Sequence, residues 1–213
     1  GMINSNFTAA GAINATALLD VIGSSFNAAT VDILATNITT TDIYALEGIT
    51  ATAAASLTGS HLKTESGDVT VEATVIDGSE FIDMDGTITV ASPLVTNSSF
   101  IATDNVTLDG LDAEDTLLGN STVTAGADII LKNYEEVIDV NANAYGNIVA
   151  TENIGYVADS DWEAEGTIAL ASTADIVNSN FTADDAITVS AEGDIISSTI
   201  TTDATADVIA TNI

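Results

Sequence analysis

Hydrophobic positions in this chain alternate with polar ones in short runs, and helical spacing is nowhere sustained. Ile49-Thr50-Ala51, Val69-Thr70-Val71, Ile88-Thr89-Val90, Val106-Thr107-Leu108 and Ile187-Thr188-Val189 each place an apolar residue at every second position. That is the period of a strand with one buried side. Turn residues such as Gly48, Gly86 and Gly166 precede these runs. A second kind of run is anchored on Ser, any residue, then a large apolar residue, as in Ser5-Asn6-Phe7, Ser24-Ser25-Phe26, Ser79-Glu80-Phe81 and Ser179-Asn180-Phe181. The apolar anchors advance by 19, 17, 19, 19, 19, 23, 19, 20, 19 and 19 residues from Phe7 to Ile200. One copy degenerates, at Val140-Asn141-Ala142.

A unit of this length cannot bury its own apolar side and is too short for a propeller blade. Winding each unit once around a common axis solves the problem, because equivalent strands then pair about 4.8 Å apart. The spacing therefore predicts an all-β, single-stranded parallel β-helix, a β-solenoid of about eleven coils forming one domain over residues 3–213. Such a rod is about 50 Å long. Parallel crossovers are right-handed in nearly all sheets, so a right-handed coil is expected. The Phe/Ile/Leu/Trp file and the Ile/Val files fill the interior. An aliphatic residue also stands two places before the Ser in several copies (Ile3, Ile22, Ile138, Val177, Ile196), and a small residue two places after the anchor, as at Ala28, Ala45 and Ala102. The Ser shares the parity of the anchor, so its hydroxyl is expected inside, at a corner, bonded to backbone. The residue before it is often Gly or Asn (Asn4, Gly23, Gly59, Gly78, Asn97, Asn120, Asn178), which suits a left-handed corner.

Charge then narrows the function. The 213 residues include 32 acidic side chains against two lysines and no arginine, a formal net charge of −30, yet 46% are hydrophobic. Disorder is excluded by that apolar content. Nucleic acid is excluded as a partner, since phosphate neutralisation needs clustered Lys and Arg. Docking on anionic lipid fails for the same reason, and no run is long enough to insert in a membrane. Without cysteine there is neither a disulfide framework nor a thiolate metal site. Stacked like charges repel, but carboxylates alternate with Asn, Ser and Thr up the expected ladders, and salt screens what remains. Gly1-Met2 reads as a remnant of tag removal ahead of a start methionine. The expectation is a slice of a longer repeat array, with an export signal lying outside it. End-to-end self-association is the alternative for its unpaired edges.

The repeat Ile176-Val-Asn-Ser-Asn-Phe-Thr-Ala-Asp-Asp-Ala-Ile-Thr-Val-Ser-Ala resembles the units of filamentous haemagglutinin and related exported bacterial adhesins. The resemblance covers nearly the whole chain. It implies a right-handed β-helix used as a stalk or adhesive fibre at the cell surface or outside the cell, without catalysis. Its partner would be a glycan or protein of a host or cell surface. The alternative is a carbohydrate-binding or polysaccharide-cleaving β-helix.

Candidate chemistry is sparse. Lyases of this shape resemble one another in using Arg or Lys, but arginine is absent and Lys63 and Lys132 lie several coils apart. Hydrolysis of a glycosidic bond needs two carboxylates at fixed separation, and Asp-x-Asp occurs at Asp83/Asp85 and Asp159/Asp161. His61, the sole histidine, falls between Asp42 and Glu80 in the expected ladder. Thr50, Thr70, Thr89 and Thr107 form a short outward Thr ladder resembling ice-binding surfaces, but it stops at Ile130, Val149 and Ala169. The 23-residue step inserts about four residues around 109–116. Its Asp109, Asp112, Glu114 and Asp115 are the candidate ligands for Ca²⁺, a cation that prefers oxygen. No cofactor beyond Ca²⁺ is expected.

Overall fold

In the computed structural model, described here for residues 1–111 and 113–212, every paired strand runs parallel to its neighbours, and twenty-six strands join in one continuous sheet. The chain is a β-solenoid of about eleven stacked coils. Each coil has three faces, lettered A, B and C in chain order. Coil three runs around all three of them in a single bent strand, Asp42–Thr58. Coil two does the same in Ser25–Thr39, and elsewhere the faces divide into shorter strands, for example Glu80–Asp83, Ile88–Ala91 and Leu94–Thr96.

Parity decides what fills the interior. On face A, Phe7, Phe26, Ile43, Leu62, Phe81, Phe100, Val123, Ala142, Trp162, Phe181 and Ile200 pair in unbroken register. From Phe26 to Phe181 they are buried. Phe81 stacks on Phe100 at 4.8 Å between centroids and 5° between planes, while Trp162 meets Phe181 edge-on at 5.5 Å. Ala142, the smallest residue of the file, lies next to Trp162, the largest. Face B contributes two inward files, one running Val31, Ile49, Val69, Ile88 and Val106. Face C contributes the file Val21, Ile38, Leu57, Ile76, Val95, Leu118, Val137, Val157, Ile176 and Ile195. These residues form one continuous core. Each fully buried aliphatic contributes about 1.5–3 kcal/mol.

The face C file corrects one detail of the sequence pattern. The aliphatic residues two places before the Ser (Ile3, Ile22, Ile138, Val177, Ile196) lie on the outside, and Ile3 is 62% exposed. The inward residue stands three places before the Ser. The shift arises because the intervening corner residue is left-handed, which reverses the alternation of sides across the turn.

That corner is the most regular feature of the molecule. All eleven residues preceding the Ser position have positive φ, between 44° and 58°, including Thr40, Asp139, Asp159 and Ser197 as well as the Gly and Asn positions. The following side chain turns inward, as expected. In eight coil-to-coil steps its hydroxyl accepts the backbone N–H of the equivalent residue one coil earlier, at 3.1–3.3 Å. It donates to the carbonyl two residues back, as Ser98 does to Thr96 at 2.8 Å. A buried hydroxyl is thereby satisfied twice. The corner between faces A and B uses a related device, in which Asp68, Asn105, Asp128 and Asn147 each accept a backbone N–H from the next coil.

Thr40 is the one β-branched residue at the left-handed corner, at φ 45°. Its Cβ substituents are strained there, whereas Asn tolerates the region. Thr40→Asn is expected to stabilise the chain by about 1 kcal/mol. Thermal melting checks this, and a lower midpoint in the variant is the contrary result.

Candidate functional site

The long step falls at one corner. Ala91 and Leu94 are separated by two residues, whereas their partners Asp109 and Leu117 in the next coil are separated by seven. The extra residues leave the wall between faces B and C as an outward loop, as the 23-residue step predicts. Gly110 begins it, in contact with the coil below: a Cβ there would stand 2.0 Å from the Asn133 carbonyl oxygen. Beneath the loop the interior is closed by Tyr134, which is fully buried and donates its hydroxyl to the Ser92 carbonyl at 3.2 Å, 42 residues away. Burial, and to a lesser degree the Asp109 charge, raises the Tyr134 hydroxyl far above its ordinary value. Tyr134 is a neutral structural plug.

Three of the four candidate Ca²⁺ ligands lie among the described residues, and each has its own setting. Burial disfavours the charge on Asp109, but Asn133, the Leu111 amide and Lys132 hold its carboxyl below the ordinary range. Asn133 Nδ2 and Leu111 N each reach Asp109 Oδ1 at 2.8 Å, and Lys132 Nζ lies 3.1 Å from Oδ2. Asp109 is thus committed to protein partners. Glu114 and Asp115 are exposed, and the Asp115 amide donates to Glu135 Oε2 at 3.1 Å. Asp112 lies outside the described residues. Among the described residues no three His, Cys, Asp or Glu side chains are grouped to hold a metal ion.

Other expected sites are assembled in register. Asp42, His61 and Glu80 are consecutive on the outside of face A, and His61 Nε2 lies 3.4 Å from Glu80 Oε2. Tyr44 and Lys63 stand beside them in the next outward file. The Tyr44 hydroxyl donates to Glu65, and this bond, with a little burial, raises its pKa. Thr50, Thr70, Thr89 and Thr107 align on face B and give way to Ile130. The carboxyls of the two Asp-x-Asp pairs take different settings. Asp83 points into the core at 2% exposure while Asp85 is exposed, and Asp159 and Asp161 are both on the surface.

Concavity gathers at the inserted loop. A cavity of about 380 Å³ on its C-terminal side is lined by Thr116, Asn133, Glu135, Glu136, Asn153 and Tyr156, among others. A second, of about 230 Å³, shares Thr116, Glu135 and Glu136 with it. A third, of about 340 Å³, shares Asn153 and Thr173. The three are contiguous, a groove along the corner parallel to the rod axis. Its walls are cross-braced: Asn153 Nδ2 donates to Asn133 Oδ1 at 2.9 Å, and the Glu135 amide donates to Thr116 Oγ1 at 2.7 Å. Asn133 and Asn153 both adopt positive φ. Sequence reading marked the loop but not the groove beside it, because Glu135, Tyr156 and Thr173 meet only once the offset between coils is known.

Against known proteins, the chain matches no family model, no curated protein and no solved structure.

Proposed function

We propose that this chain is a non-catalytic structural and adhesive segment of an exported bacterial surface protein, acting as a stiff spacer outside the cell. One observation carries the reading: the inward files continue through eleven coils, past an insertion of several residues and local register shifts in several coil pairs. Such a stack resists bending because each coil bonds the next through the whole backbone. The resemblance of the repeat to filamentous-haemagglutinin units supports it. So does the sparse basic chemistry of the surface: one histidine and two lysines in the chain, with His61 and Lys63 on one strand and Lys132 paired with Asp109.

The test uses the whole chain. Small-angle scattering is expected to give a rod about 50 Å long. Beads coated with the chain are expected to attach to host or bacterial cells above albumin-coated controls, and reducing-end assays on a polysaccharide panel are expected to stay at blank. Turnover of any polysaccharide would favour a cleaving β-helix, and coated beads that attach no better than controls would remove adhesion.

A further inference from the structure

We propose that the groove beside the inserted loop binds a linear, uncharged polysaccharide chain, lying along the rod axis; this rests on the adhesive reading and names its partner. The groove is long rather than deep. From Leu94 to Ile209 it crosses several coils, spaced about 4.8 Å apart, through three cavities that share lining residues. An extended polymer fits that form better than a compact small molecule.

The lining chooses among polymers. Among the described residues, it carries carboxylates (Asp115, Glu135, Glu136, Glu192), amides (Asn133, Asn153) and hydroxyls (Thr116, Thr173), and no lysine or histidine. An anionic chain, whether phosphate, sulfate or uronate, would meet repulsion with nothing to pair it. Hydroxyl groups of a neutral sugar both donate and accept, so carboxylates and amides suit them. Tyr156, half-buried and in register with Glu136, supplies the apolar surface against which the C–H face of a sugar ring packs. A lipid would require a mostly apolar wall, which this is not.

An extended peptide is the nearest rival. Peptides that lie along sheets gain affinity by pairing with a free strand edge. Here the groove-wall amides are already bonded between coils: Glu136 N to Thr116 O, Gly155 N to Tyr134 O, Tyr156 N to Glu135 O and Thr173 N to Ile154 O, at 2.7–3.0 Å. Side chains do the recognising, which favours sugar.

Affinity electrophoresis of the whole 213-residue chain tests this directly. The gels contain soluble α-glucan, mixed-linkage β-glucan, mannan or galactan, with polygalacturonate as the anionic control. Retardation is expected in at least one neutral polymer and not in polygalacturonate. Tyr156→Ala is expected to weaken it at least tenfold. Glu136→Ala, at an exposed position that cannot threaten the core, should weaken it several-fold, while Tyr145→Ala, an exposed tyrosine outside the groove lining, should leave it unchanged. Migration equal to the polymer-free gel in all four neutral polymers overturns the proposal. So does retardation that survives both groove variants, retardation by polygalacturonate alone, or bead attachment abolished by protease and untouched by periodate treatment of the cells. A rod with the expected scattering that fails only these gels leaves the spacer reading standing. Gels that succeed beside beads that do not attach reverse that outcome.

Discussion

Replacing Phe81 by Ala is expected to destabilise the chain by about 3–5 kcal/mol, the usual cost of removing a large buried aromatic side chain. The ring is fully buried, stacks face-to-face on Phe100 and pairs on its other side with Leu62. Files of this kind have no second layer that could collapse into the space. The same change at Phe7 is expected to cost clearly less, because Phe7 lies in the first coil and is only partly buried. Urea unfolding of both variants, read by far-ultraviolet circular dichroism, checks the pair. A loss at Phe81 of under about 1 kcal/mol would mean the interior file does not hold the stack together. Stability in stacked repeats is a sum of coil and interface contributions. A central lesion is therefore also expected to broaden the transition, as the two halves begin to unfold separately.

Asp83→Ala is expected to stabilise the protein at neutral pH by about 2 kcal/mol, the order of cost of leaving a buried polar group unsatisfied. The inward file in which Asp83 sits otherwise holds small residues: Ala28, Ala45, Thr64, Ala102, Ala125, Ala144, Ala164 and Ala183. Asp83 Oδ1 accepts the Asp85 amide at 3.1 Å, while Oδ2 is buried without a hydrogen-bond partner. Burial pushes the carboxyl above its ordinary value against the pull of that amide and of the neighbouring Thr64 hydroxyl, and the charges of Asp68 and Asp104 add to the rise. A raised folded-state value fixes the sign. Below the ordinary carboxylate range Asp83 is protonated folded or unfolded and costs nothing through its charge. As pH climbs from that range through the raised value, the folded state loses stability. The gain from Asp83→Ala should therefore be full near pH 7 and shrink towards about pH 3.5. Equal gains at both pH values would show that the side chain's volume matters and its charge does not.

Much of this architecture was legible before any coordinates. The anchor steps, the inward Ser, the left-handed residue before it and the insertion near 109–116 all reflect local chemistry repeated eleven times, so a deviation in one copy does not hide the rule. What sequence missed lies where parity or offset changes. Ile22 and Val21 are equally apolar, and only the left-handed Gly23 between them and Ser24 decides that Val21 faces in. Lys132 pairs with Asp109 because the insertion lengthens that step to 23 residues, which a count of nineteen does not reveal. Tyr134 reads as a tyrosine after a turn, yet it is buried beneath the inserted loop and its hydroxyl reaches back two coils to the Ser92 carbonyl. Asp83 was legible in principle, since it falls in register with Ala102 and Ala45 once the small-residue file is drawn. In the chain itself it reads instead with Asp85 as a short acidic pair.

The uniform stacking also quantises the molecule's length. A gain or loss of one whole turn, such as the span from Leu62 to Phe81 that separates equivalent points on face A, leaves every surviving contact with a partner of the same kind. A longer insertion leaves the stack sideways as a loop, as it does after Gly110, while a turn two residues short, from Phe26 to Ile43, is taken up by register shifts. A lineage using this chain as a spacer can therefore adjust reach only in increments of about 4.8 Å, and decoration enters solely at the bends.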